Sequence, residues 1–556
     1  MRFSLLLMLL ATASVAACGD AASQAPQEAV ATPSPSSSVS GSPSASPSDA
    51  GAAADATGHL APDASPEASA STPDAAPDAG PPPDLGPAGD FRAYAQHAAA
   101  ALQGLYDSQT GLFPSTGWWN SANAITALID TMARTGTTAY TSNLATTFSR
   151  NSRAHFLDNF YDDEGWWALA WIDAYDLTQD ASYLSMAKTI FADMTGGWDG
   201  TCGGGIWWSK ARTYKNAIAN ELFLQVAVRL HERTPGDAGA GSYDDWAARE
   251  WTWFAASGLV NTQSLVNDGL DSSCKNNAGQ TWTYNQGVLI GALVDLAKVR
   301  GDPTLLAQAR AIADATTKKL VDDVGALREP CEPSCGGDGP QFKGIFMRHL
   351  AELAQATGEP AYRAFIAVNA DWIWNAARNA SDDLGLMWSQ GIDAVDASRQ
   401  ASALDALNAA IPYAQPAPNL ALNKTATANG ACAAGQGAAQ AFDGSTSTKW
   451  CAGATGGAYW LEVDLGSALD VGRIIVRHAG AGGEPTGRNT RDFSLAASAD
   501  AASWATVATV KGNTRSASIH RFAPVSARYL RLAITAPQTD PQYPAARIYE
   551  LEAYAR

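Results

Sequence analysis

GVLIGALVDLAKVRGD (287–302) and SANAITALIDTMARTG (121–136) carry the pattern that decides the fold. In each, apolar residues recur at helical spacing, and a glycine, Gly301 or Gly136, stands where the helix must stop. Ser121 opens the second segment as a predicted N-cap. The same period runs from residue 91 to about 411, interrupted by Gly, Pro, Asn and Asp, and predicts twelve helices starting near residues 91, 121, 140, 165, 181, 216, 244, 284, 304, 341, 361 and 398. An even set of helices joined alternately by short turns and longer Gly- and Trp-rich loops suggests a closed all-α toroid of six hairpins. Such a toroid collects its long loops at one rim. An open solenoid is the alternative; it lacks support, since no repeat of ~34 or ~40 residues is visible.

Beyond the Pro-rich segment IPYAQPAPN (411–419) the period changes to alternation, in YWLEVDLG (459–466), GRIIVRH (472–478), FSLAAS (493–498), RYLRLAI (528–534) and RIYELEAY (547–554). Alternating apolar residues with Gly, Asn and Asp turns predict one all-β sandwich over 419–556. The expected organisation is therefore a helical domain over 91–411, a linker over 412–418 and a β domain. The full chain of 556 residues is long enough for several cores.

Residues 1–18 combine Arg2, an apolar run and a small-residue end at Cys18, too short to span a bilayer. This resembles a bacterial lipoprotein box, which implies cleavage before Cys18 and lipidation of that residue; an ordinary secretory peptide is the other reading. Residues 19–90 hold thirteen of the 28 prolines, ten acidic residues, no Lys or Arg and no aromatic residue. Such a segment cannot bury enough apolar area to order itself, and reads as an acidic tether. The net charge of −18 falls to −9 for residues 91–556, and both parts repel phosphate backbones, which excludes nucleic acid as a partner. Six cysteines besides Cys18 in an oxidising compartment read as disulfides. Cys331 and Cys335 bracket a short loop, Cys432 and Cys451 share the β domain, and elimination leaves Cys202 with Cys274, one of 15 arithmetically possible connectivities.

Fifteen of the eighteen Trp lie between Trp118 and Trp388, where they fill a core or line a groove. The sharpest chemical signal is YDDEGWW (161–167), expected on an irregular rim segment just before a helix. Glycosidic cleavage needs two carboxyl groups flanking the scissile oxygen, and a separation of about 5–5.5 Å goes with retention of configuration. Adjacent Asp162 and Asp163 offer such a pair, with Tyr161, Trp166 and Trp167 as sugar-stacking faces; acids in a first helical turn also serve simply as caps. Further rim segments carry amides and aromatics suited to sugar hydroxyls and ring faces: GWWNSAN (Trp118, Trp119, Asn120, Asn123), GGGIWW (Trp207, Trp208), KNAIANE (Lys215, Asn216, Asn220, Glu221) and TWTYNQG (Trp282, Tyr284, Asn285, Gln286). Helix capping is the competing use of each amide.

Taken in order, WWNSANAITALID, YDDEGWWALAWIDAYDLT, GGGIWWS, YKNAIANELF, TWTYNQGVLIGAL and KGIFMRHL resemble glycoside hydrolase family 76, the endo-α-1,6-mannanases. The resemblance covers roughly residues 91–400. It implies an (α/α)6 barrel, Asp162 as nucleophile, Asp163 as acid/base, and retaining cleavage of α-1,6-mannosidic linkages without a catalytic cofactor. Transglycosylation on the same site, or glycan binding without cleavage, are the alternatives. The loop at Cys331–Cys335 looks like an elaboration without an assignable role.

NLALNKTATANG (419–430), AFDGSTSTKW (441–450) and ARIYELEAYAR (546–556) resemble the coagulation factor five/eight C-terminal (discoidin) type, akin to family 32 carbohydrate-binding modules. The resemblance implies a galactose-binding-like sandwich and a structural Ca²⁺ held by Asp443, Ser445, Thr448 and Glu550 with carbonyls near Gln440 and Tyr549, a hard-oxygen set. An Asp-Gly turn without metal is the other reading of these residues. Arg477, His478, Glu484 and Arg491 are candidate ligand contacts. The expectation as a whole is a monomeric, lipid-anchored surface mannanase of a bacterial envelope, acting on α-mannan or a related mannosyl polysaccharide.

Overall fold

The computed structural model describes residues 89–414, 417–453, 459–540 and 544–555. Cys18 and the predicted tether up to residue 88 lie outside the described residues, as does part of the 412–418 linker.

Twelve α-helices occupy the first domain among the described residues: α1 (Phe91–Gly104), α2 (Trp118–Thr135), α3 (Thr141–Asn151), α4 (Tyr161–Thr178), α5 (Ala181–Met194), α6 (Ala217–Glu232), α7 (Tyr243–Ser257), α8 (Thr283–Arg300), α9 (Pro303–Lys319), α10 (Phe342–Thr357), α11 (Pro360–Ala376) and α12 (Ala397–Ala410). The even-numbered helices pack each on the next, and α12 returns to α2, which closes the ring. The odd helices lie outside, α5 on α4, α7 on α6, α9 on α8 and α11 on α12. Close approach within the ring depends on glycine. A Cβ on Gly287 would sit 2.6 Å from the Phe346 Cα, and one on Gly344 only 2.4 Å from the Ser402 carbonyl oxygen.

Two helix starts differ from the sequence reading. Helix α2 begins at Trp118 with Gly117 as N-cap, because the Ser121 hydroxyl, read as a cap, instead bonds back to the Gly117 carbonyl. Helix α4 begins at Tyr161, so Asp162 and Asp163 stand in its first turn and not on an irregular segment before it. The helix stops at Gly136 and Gly301 are left-handed, as their sequence placement predicts.

Short turns join most inner helices to the following outer ones, the longer α6–α7 connection over 233–242 excepted, and the longest loops lead back to inner N-termini. All six inner N-termini and the longest loops therefore share one rim. Below it, the inner helices carry an ion cluster around the buried Arg229, with half-buried acids. Arg229 of α6 pairs with Asp295 of α8 at 2.7 Å, Glu352 of α10 at 2.8 Å and Asp173 of α4 at 3.3 Å. His349 reaches Glu352 at 2.7 Å, and Arg348 bonds Asn123 of α2 and faces Asp405 of α12.

The second domain is antiparallel throughout, with strands β1 (Thr425–Ala428), β2 (Trp450–Ala452), β3 (Tyr459–His478), β4 (Asp492–Ser498), β5 (Ala505–Val510), β6 (Ala517–Ala536) and β7 (Ala546–Tyr554). The long strands β3 and β6 change register between Asp464 and Leu469. On one side of that irregularity they pair with β1 and β4, and on the other β3 pairs with β7. Two bent strands thus serve both layers, around a core that includes Trp450, Leu461, Val463, Leu532 and Ile548.

The domains meet through α11. Trp372 and Ala376 pack with Ile475, Ala517, Ile519 and Tyr554. The Asp371 carboxylate, buried beneath them, takes Arg473 at 2.5 Å and also Arg521, while Arg477 donates to the Asn375 side chain at 2.7 Å. Removing a buried acid strands two guanidinium groups. Asp371→Ala is therefore expected to cost about 3 kcal/mol and to split a single unfolding transition into two, read by calorimetry.

Candidate active site

The floor of the rim is made where the inner helices begin. Asp162, in the first turn of α4, accepts a hydrogen bond at Oδ2 from the Trp208 indole at 3.0 Å. Its Oδ1 is hidden from solvent and unpartnered. Burial pushes the Asp162 carboxyl up to about 7, against the lowering pull of the Trp208 donor and the backbone amides of the first turn, and the Asp338 charge raises it further. Asp163 follows it on the same turn, half-buried.

Around Asp162 stands a set of buried polar groups with no partner at all. Both side-chain polar atoms of Asn120 on α2, Glu221 on α6, Asn285 on α8 and Gln341 before α10 lack hydrogen bonds, and each of these residues is wholly buried. Buried polar groups are ordinarily satisfied, because an orphan costs about 1–3 kcal/mol. Four such residues, at the N-terminal ends of α2, α6 and α8 and in the turn just before α10, mark one rim as a place suited to a ligand rich in hydroxyls. Burial, with the charges of Asp268 and Glu250 adding to it, holds the Glu221 carboxyl well above the usual carboxylate range. Burial raises the Tyr284 phenol well above its ordinary range, and the charges of Asp268, Asp162, Glu221 and Asp338 push in the same direction.

Aromatic rings cluster at the same rim, with Trp166, Tyr284 and Phe342 buried and Trp119 and Trp282 partly exposed. Tyr284 stacks on Phe342 at 3.9 Å, Trp166 lies between Trp119 (5.7 Å) and Tyr284 (6.4 Å), and Trp282 meets Phe342 edge-on. Asp268 accepts from both the Tyr214 hydroxyl at 2.5 Å and the Trp282 indole at 3.1 Å.

Other residues predicted for substrate are engaged in the scaffold. Asn216 caps α6 through the Ala219 amide. Asn220 exchanges hydrogen bonds with the Ile206 backbone, and Gln286 does the same with Val266, so both pin loops to helices. Trp118 and Trp167 pack on Phe156 inside the core. Tyr161 lies against Gly197, with Lys210 over its ring. The Trp207 indole bonds Asp199, whose partner Lys215 is buried among the carbonyls of Thr201, Gly204 and Gly205. The Cys202–Cys274 disulfide ties this loop to the one before α8, and the Cys331–Cys335 and Cys432–Cys451 pairs are formed as well. Sequence reasoning missed Asp268, Asp338 and Gln341 as site residues. Gln341 and Phe342 directly precede the block KGIFMRHL, which was the available signal.

In the β domain Glu550 accepts the Gly444 and Ser445 amides at 2.6 and 3.1 Å, Asp443 accepts the Thr448 hydroxyl at 2.7 Å, and the second Glu550 oxygen is buried without a partner. Burial and the neighbouring acids Glu552 and Asp443 push Glu550 up to about 9. Two crowded carboxyl groups with an orphan oxygen fit a divalent cation, although among the described residues no three His, Cys, Asp or Glu converge as a metal site. Arg477 and His478, candidate ligand contacts, are buried: Arg477 faces the other domain and Glu552, and His478 meets Ser518. Glu484 is engaged by Lys449, Arg488 and Arg547, and Arg491 remains at the surface beside Asp492.

Fold and rim together define an (α/α)6 toroid of the glycoside-hydrolase type, with a paired-acid, aromatic-lined cleft. The model of glycosyl hydrolase family 76 matches residues 91–421, and the chain belongs to that family. An F5/8 type C domain matches residues 424–551. The chain is 27% identical over 328 residues to a putative mannan endo-1,6-alpha-mannosidase of Schizosaccharomyces pombe, covering 52% of this chain and 73% of that protein. It is 28% identical over 303 residues to a mannan endo-1,6-alpha-mannosidase of Saccharomyces cerevisiae, covering 50% of this chain and 65% of that protein. The solved α-1,6-mannanase GH76A of Salegentibacter sp. HEL1_6 aligns with a TM-score of 0.53 at 25% identity, over 58% of this chain and 99% of its own.

Proposed function

We propose that this protein is a retaining endo-α-1,6-mannanase, with Asp162 as nucleophile and Asp163 as general acid and then base. The observation that carries the reading is the set of unpartnered buried polar groups (Asn120, Glu221, Asn285, Gln341) on the floor that holds Asp162. A hexose offers hydroxyls that both donate and accept, which is what three side-chain amides and a carboxyl group require. An inactive variant of the Salegentibacter mannanase, with two adjacent aspartates replaced, binds α-1,6-mannotriose, which supports the same pair and the same linkage here.

The chemistry follows from position. The Trp208 N–H and the first-turn amides of α4 hold the ionised Asp162 oriented for attack on the anomeric carbon. Asp163 protonates the leaving oxygen, then takes a proton from the water that releases the glycosyl-enzyme. Reducing-end release from linear α-1,6-mannan tests the reading, and an added mannosyl acceptor separates hydrolysis from transfer: products longer than the substrate would make the enzyme a transglycosidase. Folded protein that binds mannan and cuts nothing overturns both.

The β domain is proposed as a glycan-binding module that raises local substrate concentration, with Ca²⁺ held by Asp443, Ser445, Thr448 and Glu550. Binding only to the folded state stabilises by mass action. Millimolar Ca²⁺ is therefore expected to raise the melting temperature, and Asp443→Asn to abolish that gain, both read by calorimetry against EDTA. Lipid anchoring through Cys18 belongs to the same proposal, and labelling with a radioactive fatty acid, lost in Cys18→Ser, tests it.

A further inference from the structure

The loop from Glu329 to Gln341, singled out in the sequence only by its two cysteines, is fastened to three inner helices at once. Glu329 accepts the Thr283 amide at 3.1 Å, and its other oxygen accepts the Thr283 hydroxyl, which holds the start of α8 one residue before Tyr284. Glu332 pairs at 2.5 Å with Lys343 of α10, itself wholly buried and bonded to the carbonyls of Leu327 and Leu386. Asp338 accepts the Trp119 indole of α2 at 2.8 Å.

The disulfide sets where Asp338 stands. Gly339 packs so tightly on the Cys331–Cys335 pair that a Cβ there would lie 2.9 Å from the Cys331 Sγ, and the Gly339 amide donates to the Cys335 carbonyl. The bonded Trp119 in turn faces Trp166 and Phe342, two members of the aromatic cluster at the rim.

We propose that Asp338, delivered by the Cys331–Cys335 loop, is a positioning residue of the cleft: it fixes the Trp119 indole as a sugar platform and sets a third negative charge beside the Asp162 carboxyl. The proposal rests on the mannanase reading for the words sugar platform, on the Trp119–Asp338 hydrogen bond and the loop geometry for the positioning, and on the upward push of the Asp338 charge on the Asp162 carboxyl for the electrostatic part. Asp162 has Asp163 and Glu164 beside it on its own helix, takes the Trp208 donor and feels the Asp338 charge, while Tyr284 of α8 feels Asp162 together with Glu221, Asp268 and Asp338; burial also raises the Asp338 carboxyl itself. Removing the Asp338 charge stabilises the ionised form of Asp162 and lowers the pH at which it titrates.

The Trp208 indole N–H reports that titration directly, because it donates to Asp162. In protein labelled with 15N-tryptophan, the Trp208 and Trp119 signals are assigned by Trp208→Phe and Trp119→Phe, and followed with pH in the full chain. In Asp338→Asn the Trp208 midpoint is expected to fall by roughly half a pH unit or more, with the Trp119 signal moving upfield as its acceptor loses charge. Asp338→Glu keeps the midpoint near wild type, and the double variant Cys331→Ser/Cys335→Ser displaces the Trp119 signal in the same direction as Asp338→Asn. Superimposable Trp208 curves in wild type and Asp338→Asn, or a Trp119 signal indifferent to Asp338, overturn the proposal. Failure of the mannanase reading shows elsewhere, as absence of reducing-end release by the wild type, and leaves the indole spectra unaffected.

Discussion

Asp162→Asn and Asp163→Asn are each expected to lower reducing-end release from α-1,6-mannan by about three orders of magnitude or more while retaining mannotriose binding. Asparagine keeps the shape and the Trp208 contact but removes the nucleophile in one case and the transferable proton in the other. Retained binding follows because the floor amides and the aromatic rings are untouched. The two variants should differ in stability. Burial raises the folded-state Asp162 to about 7 from an ordinary 3.8, so its favourable contribution is complete below the unfolded value and is lost as pH rises through 7. At pH 8 the wild type therefore carries a buried anion that Asp162→Asn does not, and the inactive variant is expected to be more stable by up to about 4 kcal/mol. At pH 4 the difference should vanish. Denaturant midpoints at the two pH values measure it, and equal activity of either variant with wild type would remove that residue from the mechanism.

Arg229→Met is expected to be the most damaging single change away from the cleft, at roughly 3–5 kcal/mol. The guanidinium is the shared partner of Asp173, Asp295 and Glu352, which come from three different inner helices. Methionine fills much of the volume, so the loss comes from three half-buried acids left without their shared cation. Their protonation relieves the strain, and the penalty should therefore be larger at pH 8 than at pH 5. Arg229→Lys should rescue only part, because a single ammonium group cannot present donors in three directions. A chemical-denaturation midpoint unchanged from wild type would show that the cluster is solvated and energetically idle.

Much of the architecture was legible because it is local. Apolar residues at helical spacing, and a glycine free to turn left-handed at residues 136 and 301, act within a few residues of themselves, so all twelve helices could be read directly. The adjacent acids and the aromatic rim loops were legible as types. Their division of labour was not. Asn216, Asn220 and Gln286 look the same in sequence as Asn120 and Asn285, yet the first three spend their amides on loop and helix backbones and the last two find no partner. Trp167 and Trp166 are neighbours, but a turn of about 100° per residue sends one into the core against Phe156 and the other toward Trp119 and Tyr284.

By itself the sequence determined the helical ring, the β domain that follows and the adjacency of the two acids, since each is written in periodicity or in neighbouring residues; that the acids stand in the first turn of α4 came from the structure. Only the tertiary structure decided which polar groups of the rim remain unsatisfied, and which aromatic rings the loop acids Asp268 and Asp338 hold, Trp282 in one case and Trp119 in the other. Hydrogen-bond satisfaction and desolvation are properties of the closed ring, set by partners dozens to hundreds of residues away along the chain.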